Sequence, residues 1–381
     1  MKIVGCDFHP SWQQVAVFDP ETGEIAELKL LNGDGGEAER FYRELEAPAL
    51  IGIEACGNSQ WFVELAERLG HVVWVGDAAQ IRASYVRKQK TDRRDAGHIL
   101  KLLMESRFPR LWTPNAEQRD LRQLLIHRHK LVEIRTRVKN GLQHLALNRG
   151  FPKQSSRLCG VRGRAYMEKL PLAGWTARRR EDLLKLLAEL DRHVDELDTA
   201  VQRAADEHPQ ARLLMTQPGV GPITSLAFVL TIGDVGRFKH SNQVASYLGL
   251  IPREHSSGGK QRLGSISKQG NRFMRQLLVE SVQTVNRLDE GFRKQYAARC
   301  HHKAKGVAKV AAARKLAVRL YWMLRQNIGY PEIAQIESSS RVPLAGKPCR
   351  RIDPKNGSHS AKRAQVSSNF LGRRGMIFAT I

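Results

Sequence analysis

Residues 2–8 read Lys-Ile-Val-Gly-Cys-Asp-Phe, a short run that is rich in residues typical of a β-strand. Two similar runs follow at residues 13–18 (Gln-Gln-Val-Ala-Val-Phe) and 25–31 (Ile-Ala-Glu-Leu-Lys-Leu-Leu). The residues between these two runs, Asp-Pro-Glu-Thr-Gly at 19–23, are the types that favour turns. Three strands joined by short turns predict an antiparallel meander at the start of the chain.

Helical and strand patterns alternate after the meander. A helix is predicted at about 35–46, and the continuous apolar run at 49–53 suits a buried central strand. A helix at about 59–69, a strand at 72–75 and a helix at about 78–87 follow. A meander followed by β-α-β-α is the pattern of a ribonuclease-H-like fold, so we predict an α/β N-terminal domain with a mixed sheet.

The middle of the chain is predicted to be helical. Residues 91–149 show a helical pattern with many basic side chains, and residues 151–174 are rich in Gly, Pro and Arg, which is typical of a linker. From Thr176 to about residue 206, apolar residues recur at helical spacing: Leu183, Leu186, Leu187, Leu190, Val194, Leu197 and Val201. Because this stripe covers only about three heptads, it fits a helix packed inside its own domain as well as an intermolecular coiled coil.

These patterns divide the chain into four segments. We predict an N-terminal domain with trailing helices at 1–150, and a linker with a coiled-coil-like connector helix at 151–210. A mainly α C-terminal domain is predicted at 211–336. Residues 337–381 combine scattered Lys and Arg with little periodicity, which predicts a disordered basic tail.

The charge of the chain is large and unevenly distributed. The formal net charge is +24 and the sequence pI is about 10.2, values expected of a protein that binds polyanions. Residues 1–81 contain 5 Lys or Arg and 14 Asp or Glu, and the other 300 residues contain 57 and 24, so the net charges are −9 and +33. An acidic lobe beside a basic remainder predicts a metal centre next to a phosphate-binding surface. Passive binding to anionic membrane or RNA is the alternative.

Cysteine usage and hydropathy indicate the compartment. The five cysteines form no Cys-x-x-Cys pair, which argues against a disulfide framework and a structural zinc site. A charged residue interrupts the apolar start of the chain, and no run reaches the roughly 18 apolar residues that span a bilayer. We therefore expect a soluble protein of a reducing, cytoplasmic compartment with no membrane partner, associated with the nucleoid when it binds DNA.

Four acidic residues are candidates for a shared metal site. Asp7 lies at the end of the first predicted strand, and Glu54 directly follows the buried strand at 50–53. Asp92 and Asp95 are three residues apart, which places both on one face of a helix. Carboxylates that converge repel one another unless hard divalent cations with oxygen ligands neutralise them, as in phosphodiester chemistry. Each acid by itself could instead be a turn or capping residue.

A glycine-containing turn is predicted between two helices of the C-terminal domain. The segment from Gln217 to Ser225 reads Gln-Pro-Gly-Val-Gly-Pro-Ile-Thr-Ser. Gly219 and Gly221 allow a tight hairpin whose amides can face a phosphate, assisted by the next helix's N-terminus. This pattern indicates a helix-hairpin-helix, although an ordinary turn between helices fits it as well.

A flexible Ser/Gly loop beginning at Pro252 passes into a basic helix. Its basic side chains are available for phosphate binding: Arg262, Lys268, Arg272 and Arg275. A serine in such a loop is usually a solvated turn residue, and it needs a base or a metal to become a nucleophile. The only acid in the loop is Glu254, so the residues alone do not identify a nucleophile.

Several short blocks of sequence occur together in a recognisable order. They are Gly5-Cys-Asp7, Ile53-Glu54-Ala-Cys-Gly57, Lys90-Thr-Asp92-Arg-Arg-Asp95-Ala96, Pro218-Gly-Val-Gly221, Ser257-Gly258 and Ser267-Lys268-Gln-Gly270-Asn271. As an ordered set over roughly residues 2–330, they closely resemble the DEDD transposases. These are recombinases of insertion sequences with a RuvC-like N-terminal domain and a C-terminal transposase domain.

The resemblance implies a specific site and specific partners. It implies that Asp7, Glu54, Asp92 and Asp95 bind Mg²⁺ and that Ser257 attacks DNA to give a covalent intermediate. It also implies that different protomers of a dimer or tetramer supply the two halves of the site, and that a structured bridge RNA guides the choice of DNA. Two departures stand out. The family often has a hydroxyl residue where this chain has Cys56, and Ser256 precedes Ser257 directly.

Three functions are compatible with these features. The leading hypothesis is a DNA transposase that cuts and rejoins strands through a phosphoserine bond. A RuvC-like endonuclease of the Holliday-junction-resolvase type would use the same carboxylates, with water as the nucleophile. A nucleic-acid-binding protein without catalysis would retain the acids only as structural residues.

Overall fold

The structure, a computed structural model, describes residues 1–33, 36–85, 91–151 and 160–339. These residues form two compact units, 1–113 and 114–339. Most of the predicted tail, from residue 340 onward, lies outside the described residues, as do the end of the helix predicted at 78–87 and residues 152–159 of the predicted linker. The functional division at residues 150, 210 and 336 stays a prediction.

The first unit contains a five-stranded mixed sheet. Its strands are β1 (Ile3–Phe8), β2 (Trp12–Phe18), β3 (Ile25–Leu31), β4 (Leu50–Glu54) and β5 (Val72–Gly76). The spatial order is β3-β2-β1-β4-β5, with antiparallel β1–β2 and β2–β3 pairs and parallel β1–β4 and β4–β5 pairs. The predicted meander and the mixed α/β architecture of the N-terminal part are therefore confirmed.

Helices cover both faces of this sheet. They are α1 (Glu37–Glu44), α2 (Gln60–Arg68), α3 (Ala78–Ala83) and α4 (Asp92–Met104). Side chains alternate along β1, so Val4 and Cys6 join Tyr42 and Phe62 in a core with α1 and α2. The opposite face carries Gly5 and receives α4.

The absence of a side chain at Gly5 lets α4 lie unusually close to β1. A Cβ atom at this position would be 2.4 Å from the Ala96 carbonyl oxygen and 2.4 Å from the Leu100 nitrogen. Gly52 on β4 faces the side chain of Leu103 in the same way. Because both strands carry glycine under the helix, the N-terminal end of α4 is held near the ends of β1 and β4.

The second unit begins with a long antiparallel helix pair, α5 (Ala116–Leu147) and α7 (Gly174–Glu207). Ion pairs of Arg128 with Asp198 and of Arg135 with Asp191 show the antiparallel direction. The apolar stripe of α7 packs against α5 of the same chain. An eight-residue helix, α6 (Val161–Glu168), lies within the segment predicted as a linker.

The remaining elements of the second unit are mostly helical, as predicted. They are α8 (Pro209–Met215), α9 (Pro222–Ile232), α10 (Ser241–Tyr247), β6 (Pro252–Glu254), β7 (Leu263–Ile266), α11 (Arg272–Leu288), α12 (Glu290–His302), α13 (Lys305–Gln326) and α14 (Tyr330–Ser339). α9 is buried along most of its length, and α11 and α13 contribute to the same core. Of the helices in the described ranges, none combines the length and hydropathy needed to cross a bilayer.

Candidate functional site

Two of the predicted acids lie at the ends of neighbouring parallel strands. Asp7 is the penultimate residue of β1, and Glu54 is the last residue of β4. The register pairs Cys6 with Ile53, so Asp7 and Glu54 occupy the next position on each strand. Since side chains alternate along a strand, both acids belong to the face that α4 covers. The sheet therefore holds these two carboxylates side by side.

The other two acids begin the helix that lies on this face. Thr91 caps α4 by accepting a hydrogen bond from the Arg94 N–H at 3.4 Å. Asp92 is the first residue of α4 and is exposed, whereas Asp95 is only 5% exposed. The positive end of the helix dipole favours acids in this turn. The close approach of α4 to β1 at Gly5 brings this turn to Asp7.

The electrostatics of Asp7 reflect this crowding. Burial raises the pKa of Asp7 above its ordinary value, and the negative charges of Asp95 and Asp92 raise it further. His9 acts in the opposite direction through its charge and its hydrogen bond, and the pKa nevertheless remains raised. The ionised cluster thus holds more negative charge than its own residues neutralise, a condition that a bound cation would relieve.

A tyrosine hydrogen-bonds one of the acids and feels the charge of two others. The Tyr85 hydroxyl donates a 2.5 Å hydrogen bond to Oδ1 of Asp95. Burial raises the pKa of Tyr85, and its hydrogen bond to Asp95 and the charges of Asp95, Asp7 and Glu54 raise it further, so this hydroxyl stays a donor at neutral pH. The ring of Tyr85 stacks on His98 at 4.1 Å between centroids, which fixes its orientation.

A histidine also enters the cluster. Nε2 of His9 lies 3.2 Å from Oδ2 of Asp7. Three side chains each offer one possible ligand atom, and these atoms all lie within 4.8 Å of one another: Asp7, His9 and Asp92. Neither His9 nor Tyr85 is among the site residues predicted from the sequence. His9 could have been noticed as a metal-ligand type two residues after Asp7, whereas nothing in the sequence pairs Tyr85 with an acid ten residues away.

The donor set fits a divalent cation. Carboxylate oxygens are the ligands that Mg²⁺ and Mn²⁺ accept, and ligand atoms of Asp7 and Asp92 lie together with one of His9. Asp95 and Glu54 are outside this group of three but are near enough for their charges to act on Asp7 and Tyr85, respectively. Among the neighbouring cations, Arg82 lies 3.9 Å from Glu54 and its side chain is 75% exposed, which makes it a weak neutralising partner. Such an arrangement can bind a phosphodiester through metal ions and stabilise the charge that develops on its oxygens.

The predicted serine lies on a β-hairpin in the second unit. β6 and β7 pair antiparallel, and Lys260 donates its N–H to the Ser257 carbonyl at 3.1 Å. Gly258 and Gly259 have φ of +56° and +73°, the two left-handed positions of a type I′ turn. The sequence predicts a flexible loop here, whereas the structure has Ser257 as the first residue of a tight hairpin turn.

The two adjacent serines of this hairpin differ in their contacts. The Ser256 hydroxyl donates to Glu254 at 2.6 Å and accepts the Arg262 N–H at 3.1 Å. These two hydrogen bonds brace the hairpin across its strands. The Ser257 side chain is exposed at the turn, and the hydrogen bonds within the described residues involve its backbone carbonyl and not its hydroxyl. Both residues are exposed, and of the two hydroxyls only that of Ser256 is hydrogen-bonded within the described residues.

The predicted phosphate-binding residues fall into two groups. Arg262, Lys268 and Arg272 are exposed, and Arg272 begins α11, whose first turn holds no acid. Arg275 instead donates to one carbonyl at the end of α10 and to two carbonyls directly before α11, at 2.5–3.2 Å, and so braces these two segments together. This contact leaves less of its guanidinium for a ligand.

The two glycines of the predicted helix-hairpin-helix also differ. Gly219 has φ of +84°, and a Cβ atom there would lie 2.6 Å from the Val285 nitrogen, so this turn packs against α11. Gly221 is exposed and precedes α9, with open space where a side chain would be. Only Gly221 therefore offers its backbone to solvent at a helix N-terminus.

Two family profiles match the chain. A transposase profile of the DEDD type from the IS110 group matches residues 4–152, which include all four acids. A second profile, described as transposase of the IS116/IS110/IS902 family, matches residues 211–297, which include the serine hairpin. The two matches thus cover both groups of candidate residues.

Individual relatives are similar over most of their length. A probable family 20 transposase of Pseudomonas aeruginosa is 30% identical over 257 residues, which cover 65% of this chain and 74% of the relative. The transposase for insertion sequence element IS1111A of Coxiella burnetii is 29% identical over 62% of this chain and 65% of its own length. The transposase for IS1328 of Yersinia enterocolitica is 27% identical over 73% of this chain and 84% of its own length.

Proposed function

The chain belongs to the IS116/IS110/IS902 family of transposases, and we propose that it cuts and rejoins DNA by a serine-based, divalent-metal-dependent phosphoryl transfer. The main support is the convergence of Asp7, Glu54, Asp92 and Asp95 at one end of the sheet. The strand order β3-β2-β1-β4-β5, with helices on both faces, supports a ribonuclease-H-like N-terminal domain.

In this proposal the four carboxylates hold Mg²⁺. Bound Mg²⁺ supplies a Lewis acid that lowers the pKa of a nearby hydroxyl and stabilises charge on phosphate oxygens. The chain's own residues prepare this site. Asp7 and Glu54 are fixed by their strands, and Tyr85 orients Asp95 through its hydrogen bond. A set of ligands that is already positioned loses little freedom when the cation binds.

The serine step conserves the energy of the phosphodiester. The Ser257 oxygen attacks phosphorus and forms a P–O bond, while the bond from phosphorus to the departing sugar oxygen breaks. The proton lost by the serine is balanced by the proton gained by the released sugar hydroxyl. Attack by a sugar hydroxyl reverses the step and rejoins DNA. The assignment of Ser257 over Ser256 is supported by the two hydrogen bonds that already engage the Ser256 hydroxyl.

The basic second unit would bind the nucleic acids. We propose that Arg262, Lys268 and Arg272 contact DNA phosphates, with Gly219 and Gly221 forming a helix-hairpin-helix whose exposed end is Gly221. By the family resemblance we also propose a bridge RNA as guide. We further propose a dimer or tetramer in which one protomer's serine acts with another's carboxylates.

One assay tests the serine and the metal together. Full-length protein is incubated with end-labelled donor DNA, guide RNA and Mg²⁺, and covalent protein–DNA adducts are separated under denaturing conditions. The wild type should form an adduct that Ser257→Ala and Asp7→Ala abolish. Ser265→Ala, an exposed serine on β7, is the matched control and should form the wild-type amount.

The alternatives give different results in this assay. Cutting by Ser257→Ala without any wild-type adduct would identify a hydrolytic RuvC-like nuclease. An adduct lost only in Ser256→Ala would move the nucleophile by one residue. Tight binding without cutting, unchanged in Asp7→Ala, would identify a nucleic-acid-binding protein without catalysis.

A further inference from the structure

The turn between β1 and β2 places an imidazole among the carboxylates. His9 Nε2 lies 3.2 Å from Asp7 Oδ2. One ligand atom from each of Asp7, His9 and Asp92 lies within 4.8 Å of the other two. A triangle of this size can surround a single cation, since metal–ligand bonds in proteins are about 2.0–2.6 Å long. The four-acid site proposed above has oxygen ligands only, so this nitrogen adds a different kind of donor.

The position of His9 is fixed by several contacts outside the cluster. Its backbone N–H donates to the Trp12 carbonyl at 3.0 Å, and its own carbonyl accepts a hydrogen bond from Asn32 at 2.8 Å. The imidazole stacks on the Trp12 ring at 4.1 Å with an interplanar angle of 23°. The Lys29 ammonium lies over the Trp12 ring, 4.5 Å from its centroid. The imidazole is therefore held at the cluster by its backbone and by its stacking partner.

The contact between His9 and Asp7 can be understood in two ways. Protonated His9 could act as a resident cation that neutralises Asp7, or neutral His9 could present Nε2 to a metal ion. A resident cation would repel a divalent ion, whereas a ligand would attract it. The two roles thus predict opposite changes in metal affinity when the imidazole is removed.

We propose that His9 is a nitrogen ligand to one divalent ion of this site, together with Asp7 and Asp92, and that it shifts the site's preference from Mg²⁺ toward first-row transition ions such as Mn²⁺ and Co²⁺. The inference rests on the proposed function, because it requires that the carboxylates hold a divalent ion. Its chemical basis is that imidazole suits transition metals, while Mg²⁺ demands hard oxygen ligands and keeps its waters.

Metal binding without DNA or turnover provides the test. Metal-free, full-length protein is titrated with Mn²⁺, and free Mn²⁺ is measured by electron paramagnetic resonance, with Mg²⁺ as competitor. We expect His9→Ala to lower Mn²⁺ affinity about tenfold, the scale of losing a partner at a metal site. Its Mg²⁺ affinity should change much less. His193→Ala, an exposed histidine on α7, should bind as the wild type does.

Two further measurements keep the result interpretable if His9→Ala unfolds. His9→Asp replaces nitrogen with oxygen, so it should retain metal binding while losing selectivity for Mn²⁺ over Mg²⁺. Electron spin echo modulation of bound Mn²⁺ should show coupling to an imidazole nitrogen in the wild type. That coupling should be absent in His9→Asp and present in the His193→Ala control.

The outcomes separate this inference from the proposed function. If Asp7→Asn loses Mn²⁺ binding while His9→Ala binds Mn²⁺ as tightly as the wild type or more tightly, the carboxylate site stands and the nitrogen ligand is wrong. Equal losses of Mn²⁺ and Mg²⁺ affinity in His9→Ala would also overturn the inference, because they would make His9 a positioning residue for Asp7. Wild-type protein that binds neither ion would refute both the inference and the carboxylate site.

Discussion

Substitution of Gly5 by alanine tests how the packing of α4 positions the acids. The new methyl group would lie 2.4 Å from both the Ala96 oxygen and the Leu100 nitrogen. Both are backbone atoms, so no side-chain rotation can relieve the overlap. Ordinary contacts begin at 3.4 Å, and α4 must therefore move about 1 Å away from β1. The acids at the start of α4 would move with it.

Two consequences follow from this displacement. Overpacking of this kind costs about 1–3 kcal/mol of folding free energy. A displacement of about 1 Å at reacting groups can lower a rate on the order of 100-fold. We therefore expect Gly5→Ala to unfold at lower denaturant concentration and, under conditions where it is folded, to cut DNA on the order of 100 times more slowly.

The matched control is a glycine on α4 itself. Gly97→Ala adds a methyl group with no atom within 4 Å apart from its chain neighbours and the backbone of its own helix. In a helix interior, alanine is more stable than glycine by roughly 0.5–1 kcal/mol. The variant should unfold at equal or higher denaturant concentration and cut DNA at the wild-type rate. Denaturant unfolding and single-turnover cutting in Mg²⁺ measure both quantities. Wild-type stability and rate in Gly5→Ala would refute the proposed coupling between helix packing and site geometry.

Three other substitutions probe the carboxylate cluster and the serine hairpin. Tyr85→Phe removes the hydrogen bond to Asp95 and should lower the rate of DNA cutting on the order of tenfold at limiting Mg²⁺. The rate should recover as the Mg²⁺ concentration rises. A loss of rate that is independent of Mg²⁺ would contradict this role of Tyr85. The pKa of Asp7 is raised in the folded protein, so Asp7 ionises more easily in the unfolded chain. The folded state of the wild type therefore loses stability as the pH rises from about 4 through the folded-state pKa of Asp7. Asp7→Asn should therefore gain stability relative to the wild type over that window in metal-free thermal melts, and equal curves would argue against the charge crowding. Gly270→Ala adds a methyl group 2.1 Å from the Tyr247 carbonyl at φ of +70°, so it should disturb the root of the serine hairpin and abolish the adduct while Mn²⁺ binding stays unchanged.

The sheet and its two acids could be predicted because they depend on local patterns. Apolar runs with turn residues between them located all five strands of the first unit to within one or two residues. The ends of parallel strands share one edge of a sheet, so Asp7 and Glu54 were expected to lie together. Asp92 and Asp95 followed from helical spacing and from the family resemblance.

The partners of these acids could not be predicted, because they depend on tertiary contacts. Tyr85 reaches Asp95 only once α4 has packed on the sheet, and no periodicity relates the two positions. The buried ion pair of Arg319 with Asp289 in the second unit also depends on tertiary contacts. Arg319 is 3% exposed and donates to Asp289 at 2.6 Å and to Gln217 at 3.2 Å. From sequence, an arginine in a basic helix is expected to face solvent.

The serine hairpin is a case in which a usable signal was present. Two consecutive glycines at 258 and 259 can both adopt positive φ, which is the requirement of a type I′ hairpin turn. Short flanking strands with many polar residues obscured it, because they lack the apolar alternation that identifies a strand. The hairpin matters for function, since a turn gives Ser257 a more defined position than a flexible loop would.

The uneven charge of the chain separates nucleic-acid binding from chemistry. Residues 1–113 contain 14 Lys or Arg against 17 Asp or Glu, whereas residues 114–381 contain 48 against 21. The unit with the carboxylates has no excess of positive charge to attract a phosphodiester, and its acids repel one unless cations neutralise them. The basic remainder can bind phosphates without metal, with an affinity that falls steeply as salt rises. Binding should therefore depend on salt and cutting on the divalent ion, because different parts of the chain provide them.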